Sequence, residues 1–274
     1  MLISGRSRMI GLFGFPVEHS LSPYMQNAAF SHCGLDYCYF PFSVQPDHLR
    51  NAIAAIRSLN FCGVNLTIPH KETCIPFLDN LDEEAAAIGA VNTITHSAGL
   101  LTGHNTDGRG FAMTLQEQGI SPTGAKALII GAGGASRAVG HYLSRTCATL
   151  HIHNRARERA ENLASFLSRM EANTGIIENL TSLSEYDIII NATPLGLKDS
   201  DPLPLDPEHL HAGQAVCDLI YRKTPLLVQA HQHGCRTADG LGMLLWQGAY
   251  AFELWTGIPA PVEVMRTALL SVVK

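Results

Sequence analysis

Three polar residues stand where apolar runs give out, and their types suit proton transfer and hydrogen bonding. Lys71 follows Val64-Asn65-Leu66-Thr67-Ile68-Pro69-His70, Asn92 follows Gly89-Ala90-Val91, and Asp107 closes His104-Asn105-Thr106. A lysine can donate a proton and stabilise developing negative charge, and a carboxylate can orient it or accept from a hydroxyl. Taken singly, a lysine after a strand is commonly a solvated charge and an aspartate before glycine a turn residue. Alternation, however, puts Asn65 and Thr67 on one face of an otherwise apolar segment leading to Lys71, and Asn65, Lys71, Asn92 and Asp107 all end or follow such runs. A fold that gathers strand ends could bring them together. Ser20 and Ser22, just before Pro23, offer two hydroxyls beside a helix start. They read either as an N-cap or as an anion site that holds a carboxylate without arginine.

A second kind of chemistry is written at residues 127 to 139, where Ala127-Leu128-Ile129-Ile130 breaks into Gly131-Ala132-Gly133-Gly134-Ala135 and resumes as a helical pattern. Strand, tight turn and helix in that order make a pyrophosphate cradle, because glycine lets the backbone approach closely and the helix start presents free N–H groups. The third glycine of the usual fingerprint is replaced by Ser136, and such loops also occur as plain corners. The next strand-like run, Ala148 to His153, ends in Asn154-Arg155-Ala156-Arg157. An acidic residue there would hold a ribose 2′-hydroxyl; the two arginines favour a 2′-phosphate instead, or are surface cations opening a helix.

The elements that must carry these residues alternate. Met9 to Phe13, Tyr37 to Pro41 and Phe61 to Thr67 read as strands, with helices over Pro23 to Cys33 and Pro46 to Leu59 between them. This order predicts an α/β fold with a mostly parallel sheet, whose ligand site lies at the carboxyl ends of the strands. Leu81 to Ile88 and Gly108 to Gln118 read as helices. Strands follow at 186 to 191 and Val216 to Ile220, then Tyr221, then a long apolar helix carrying Gln247, which faces either solvent or a ligand.

At 274 residues, with 16% charged and 46% hydrophobic residues, the chain can bury a sizeable core and has room for two domains. A net charge of -5 with no long basic run gives no footprint for nucleic acid or an anionic membrane, so the expected partner is a small molecule. Seven cysteines without a C-x-x-C pair argue against a disulfide framework or zinc site, and no metal is expected. No apolar stretch reaches membrane-spanning length, and the short run after Arg6 and Arg8 lacks a cleavage site, so the cytoplasm is the expected compartment.

Together the motifs resemble the shikimate dehydrogenase family: Ser-Leu-Ser-Pro at 20, Asn-x-Thr-x-Pro-x-Lys from 65, Gly-Ala-Val-Asn-Thr at 89, Asn-Thr-Asp-Gly at 105, Gly-Ala-Gly-Gly-Ala at 131, Asn-Arg at 154, Asn-Ala-Thr-Pro-x-Gly at 191, Asp-x-x-Tyr from 218, and Gly-Met-Leu at 242 before Gln247. The resemblance runs from about Ile10 to the last helix. It implies a substrate-binding and catalytic domain over 1–107 plus 242–274 and a Rossmann-type NADP-binding domain over 108–241. It also implies reversible NADPH-dependent reduction of 3-dehydroshikimate to shikimate, on the way to chorismate and the aromatic amino acids. By the family pattern, Lys71 and Asp107 form the catalytic pair. Ser20 and Ser22 take the substrate carboxylate, and Thr67, Asn92, Asp107 and Gln247 its hydroxyls, with Tyr221 nearby. Cofactor contacts are implied for Gly131, Ala132, Gly133, Gly134, Ala135, Asn154, Arg155, Arg157, Thr193 and Gly240. Ala156 stands where the family often has threonine, which removes a hydroxyl from the 2′-phosphate site; Arg157 could compensate. A quinate/shikimate dehydrogenase of broader substrate and cofactor use, a non-catalytic metabolite sensor and a homodimeric assembly stay open.

Overall fold

The first apolar run folds as β1 (Arg8–Gly14), whose last five residues are buried, and its neighbours follow in the expected alternation: α1 (Ser22–His32), β2 (Tyr37–Ser43), α2 (Leu49–Ser58), β3 (Gly63–Leu66), α3 (His70–Thr73), β4 (Asn80–Leu81), α4 (Glu83–Ile88), β5 (Thr93–Ser97) and β6 (Leu100–His104). The computed structural model describes residues 3–170, 172–198 and 200–273. Residues 1, 2 and 274, which terminate the expected first domain, lie outside the described residues, as do 171 and 199. By internal contacts the chain forms two compact units, Met1–Thr106 with Leu245–Lys274, and Asp107–Leu244.

In the first unit six strands stand in the order β2-β1-β3-β5-β6-β4. β1 runs parallel to β2 and β3, and β4 parallel to β6, while β5 is antiparallel to β3 and β6. The sequence reading has no β5–β6 hairpin. Its turn puts Ala98 (φ 49°) and Gly99 (φ 79°) in the left-handed region, as a two-residue hairpin turn requires, but alanine is not a residue that advertises one. The helix expected over Pro46 to Leu59 begins as a single 3₁₀ turn at Pro46–His48 before α2. Side chains of Phe13, Ile53, Ile56, Val64, Leu66, Val91, Ile94 and Leu101 make one apolar core on the sheet.

The second unit holds α5 (Asp107–Glu117), β7 (Lys126–Ile130), α6 (Gly134–Ser144), β8 (Thr149–His153), α7 (Arg157–Ser168), β9 (Thr174–Ile176), β10 (Ile188–Asn191), β11 (Ala215–Asp218), α8 (Pro225–Gln232) and β12 (Arg236–Ala238). All six strands are parallel, in the order β12-β11-β10-β7-β8-β9. Along central β7, Ala127 and Ile129 point into one apolar cluster and Leu128 and Ile130 into another. Both faces of the strand are covered, which is why it reads as an unbroken apolar run. The chain moves outward from β7 through β8 to β9, then returns to β10 and moves the other way. The resulting switch point between β7 and β10 opens a crevice at the strands' carboxyl ends. α9 (Gly240–Thr256) belongs to the second unit up to Leu244 and to the first from Leu245; α10 (Val262–Leu270) packs on α1 in the first. Within the first unit α9 is anchored by Phe252, stacked on Phe30 at 5.4 Å, and by Trp255, whose Nε1–H donates to Ile94 O at 3.0 Å.

Candidate functional site

In the first unit the polar residues singled out from sequence collect at the carboxyl ends of β1 and β3. Phe15 N–H donates to Ile68 O at 2.9 Å and Thr67 N–H to Phe13 O at 2.9 Å, so the segment after β1, with its serines, runs beside the segment that leads to Lys71. Ser20 and Ser22 do not cap α1: the N-cap is Leu21, with no side-chain capping bond. Ser20 Oγ accepts from Ser22 N–H at 3.3 Å, and Ser22 is 5% exposed and makes no side-chain hydrogen bond among the described residues. The Ser20 oxygen thus meets the first N–H of α1 without being the N-cap, while both hydroxyl protons are left to donate, which is compatible with the anion reading.

Lys71 lies in α3, a single turn entered through the cis Ile68–Pro69 bond. Its carbonyl accepts from Val91 N–H at 2.7 Å, which seats the turn against the strand entrance that carries Asn92. The preceding His70 is fully buried and its Nε2 lies 2.7 Å from Val44 O. A carbonyl can only accept, so that nitrogen carries a proton; desolvation holds His70 below the ordinary imidazole range. Among the described residues its Nδ1 is buried without a hydrogen-bond partner.

Asn92 is a hub. Its Nδ2 donates to Thr106 Oγ1 at 2.9 Å and to Gln247 Oε1 at 3.3 Å, and its Oδ1 accepts from Thr106 N–H at 2.9 Å and Thr93 Oγ1 at 3.0 Å. Gln247, 9% exposed, therefore faces a polar cluster rather than solvent. Asn65 stands behind the hub: it accepts from Tyr39 Oη at 2.8 Å and donates to Asn92 O and Thr93 Oγ1, both at 3.0 Å. The sequence marks Asn65 as unusual but not its role as a prop, because a strand's alternation says which face a residue shares and not which partner waits there.

In the second unit every expected cofactor residue lies at the carboxyl edge of the parallel sheet. Gly131 has φ 116°, and a Cβ there would stand 2.9 Å from Ala192 O, so both its conformation and its surroundings demand glycine. Nothing lies within 4 Å of where a Cβ on Gly133 would be. Gly133 caps α6, and the first N–H groups of that helix, from Gly134 and Ala135, have no partner within the helix. An open space over unpartnered donors at a switch point fits a dinucleotide pyrophosphate. Ser136, in place of the third glycine, accepts from Gly133 N–H at 3.2 Å and is fully buried.

Thr193 donates to Asn191 Oδ1 at 2.7 Å and accepts from Leu195 N–H at 3.2 Å, so its hydroxyl shapes the loop after β10. Asn191 in turn donates to Asp218, which accepts from Thr224 at 2.7 Å; burial pushes the Asp218 carboxyl up. A Cβ on Gly240 would meet Leu219 O at 2.3 Å, so α9 can start only from a glycine. Asp107 is 3% exposed and opens α5 rather than sitting in a turn. The Tyr221 phenol is pushed up to about 12, by desolvation first and by the Asp107 carboxylate second. The residue as a whole is 41% exposed, and the phenol is a hydrogen-bond donor at neutral pH. After β8, Asn154 Nδ2 donates to Ala156 O at 2.9 Å and Arg155 is exposed. Arg157 is paired with Glu161 (2.7 Å) and with Glu178. The sequence reading named neither acid, since Glu178 follows a three-residue strand and only pairing with β8 brings it there.

An all-parallel sheet with a glycine turn over a helix start at its switch point defines a Rossmann-type, dinucleotide-binding class of protein. Models of the shikimate dehydrogenase substrate binding domain, of shikimate / quinate 5-dehydrogenase and of the shikimate 5'-dehydrogenase C-terminal domain match residues 12–94, 114–196 and 240–270. The shikimate dehydrogenase (NADP(+)) of Desulforamulus reducens is 47% identical over 97% of this chain and 96% of its own length. A shikimate dehydrogenase solved in complex with NADP+ has a TM-score of 0.93 at 40% identity, covering 100% of this chain and 98% of that one. Quinate dehydrogenase from Corynebacterium glutamicum, solved with NAD, reaches 0.91 at 30% identity over 97% and 99%. The chain belongs to the shikimate dehydrogenase family.

Proposed function

We propose that the chain catalyses the reversible NADP-dependent reduction of 3-dehydroshikimate to shikimate. Beyond family membership, the observation that carries this reading is the cluster at the ends of β1 and β3: a pair of hydroxyls, a lysine-bearing turn and an amide hub in one unit. The substrate is a carboxylate that bears hydroxyls and a ketone, and each group finds a counterpart of suitable chemistry. When bound, the cofactor supplies the hydride. Ser20 and Ser22 donate to the substrate carboxylate. Thr67, Asn92 and Gln247 orient the ring through its hydroxyls, with the bond between Asn92 and Gln247, long at 3.3 Å, the one a substrate hydroxyl can replace. The Lys71 ammonium faces the carbonyl oxygen, stabilises it as it takes on alkoxide character and gives it the proton. Asp107, the other member of the family's catalytic pair, accepts from a substrate hydroxyl, with Tyr221 as a further donor.

The domain roles follow: substrate and catalysis with the first unit, NADP with the second. Among the described residues no helix is long and apolar enough to cross a membrane; we place the enzyme in the cytoplasm, in keeping with seven free cysteines of which five are buried. Edge strand β2, with Phe40 44% exposed, supports a homodimer, which light scattering would test. Purified protein should reduce NADP+ with shikimate, followed by nicotinamide absorbance, and Lys71→Met should lower kcat by about 10²–10⁴ with little change in KM. A loss below tenfold would remove Lys71 from the chemistry. A second reading, use of NAD as by the broader quinate/shikimate dehydrogenases, is favoured by one feature: the engagement of Arg157 by two carboxylates. Comparable rates with NAD would establish it.

A further inference from the structure

The end of β8, where a dinucleotide's adenosine ribose is read in this fold, carries two arginines, but the structure treats them differently. Arg155 is exposed and makes no ion pair among the described residues. Arg157, the first residue of α7, donates through Nε to Glu161 one turn later at 2.7 Å and through Nη1 to Glu178. Glu178 is not placed by chance side-chain reach. β9 pairs with β8 in register up to Ile152 and Ile176, Ile177 N–H donates to Ile152 O at 3.0 Å, and His153 Nδ1 lies 3.1 Å from Ile177 O. The backbone therefore fixes Glu178 beside the β8 terminus. Glu158 adds a further carboxylate in the first turn of α7.

From this arrangement we infer that Glu178, helped by Glu161, sets the cofactor preference of the enzyme: it withdraws Arg157 from the ribose 2′-phosphate and leaves Arg155 as the working cation. This rests on the reading of the second unit as the dinucleotide-binding one. Two carboxylates close to the 2′ position oppose a phosphate by charge repulsion and leave a ribose hydroxyl unaffected. Hence the two arginines discriminate against NAD less than their number suggests, and the loss of the threonine hydroxyl at position 156 is not made good by Arg157. The pairs are solvent-exposed, with side chains 63%, 49% and 65% accessible for Arg157, Glu161 and Glu178. Each is therefore a modest term, and the effect on binding is a few-fold rather than orders of magnitude.

The test is isothermal titration of the protein with NADP+ and, separately, NAD+, without substrate, for wild type, Glu178→Gln, Glu161→Gln/Glu178→Gln and each of these with Arg157→Ala. Glu178→Gln should tighten NADP+ about two- to fivefold and the double variant about three- to tenfold, with NAD+ unchanged. Arg157→Ala should be nearly silent in wild type and should erase the gain in the double variant, a non-additivity that a merely structural role does not produce. Arg155→Ala should weaken NADP+ in every background. Equal tightening of both cofactors, no tightening of NADP+, or a wild-type Arg157→Ala loss as large as that of Arg155→Ala would each overturn this proposal while leaving the dinucleotide site in place. Failure of the wild type to bind either cofactor would overturn both.

Discussion

Asn92→Ala is the substitution that asks most of the hub. Among the hydrogen bonds that go with the amide are those to Thr106 N–H (2.9 Å), Thr106 Oγ1 (2.9 Å), Thr93 Oγ1 (3.0 Å) and Gln247 Oε1 (3.3 Å). The two hydroxyls can rotate to other partners, since Thr106 Oγ1 already reaches Gln247 O at 3.0 Å and Thr93 Oγ1 lies at 3.0 Å from Asn65 Nδ2. Thr106 N–H cannot rotate, and it is buried with the residue 3% exposed. One stranded amide costs about 1–3 kcal/mol and each re-aimed group roughly 0.5 kcal/mol, which gives a loss of about 2–4 kcal/mol. At about 2–4 °C per kcal/mol the melting temperature should fall by roughly 5–15 °C. Differential scanning calorimetry reads the loss, and steady-state kinetics should show KM for shikimate rising as Gln247 loses its anchor. Asn92→Ala with Gln247→Ala should be less than additive, because the two share a bond. A melting temperature lowered by less than about 2 °C would refute the hub and leave Asn92 as a plain substrate contact.

Gly131→Ala should abolish NADP+ binding in a calorimetric titration and destabilise the protein by about 1–3 kcal/mol, through its φ of 116° and a Cβ 2.9 Å from Ala192 O; retained binding would argue against the cradle. His70, His141 and His151 are all held below the ordinary imidazole range, by desolvation first in each case. Below the unfolded imidazole value of about 6.5 the unfolded chain binds more protons than the native one. The stability these residues contribute is therefore full above that pH and is lost as pH falls below it toward the native values. The melting temperature should fall between about pH 7.5 and 5.5, and His70→Gln, which keeps a donor for Val44 O, should flatten the slope. An unchanged slope would mean that His70 is not buried neutral.

Much of this protein is legible without coordinates. Alternating apolar runs and helix patterns identify the α/β class, because a strand buried on both faces must be apolar throughout, as β7 is. The glycine turn at 131 marks a helix start with free donors, because only glycine adopts φ 116° against a neighbouring carbonyl at that distance. Lys71, Asn92, Asp107 and the serines stand out because polar residues that end apolar runs need a reason. What the sequence could not say is which partner each residue meets. The hairpin of β5 and β6 hides behind an alanine, Asn65 works through Tyr39 and Thr93, and Ser20 and Ser22 turn out not to cap their helix. Glu178 lies 21 residues from Arg157 and reaches it only because β9 pairs with β8. Local pattern is set by backbone sterics and by which face sees water, and both act over a few residues. The balance of charge after β8 is set by contacts across strands, and those exist only once the sheet has formed.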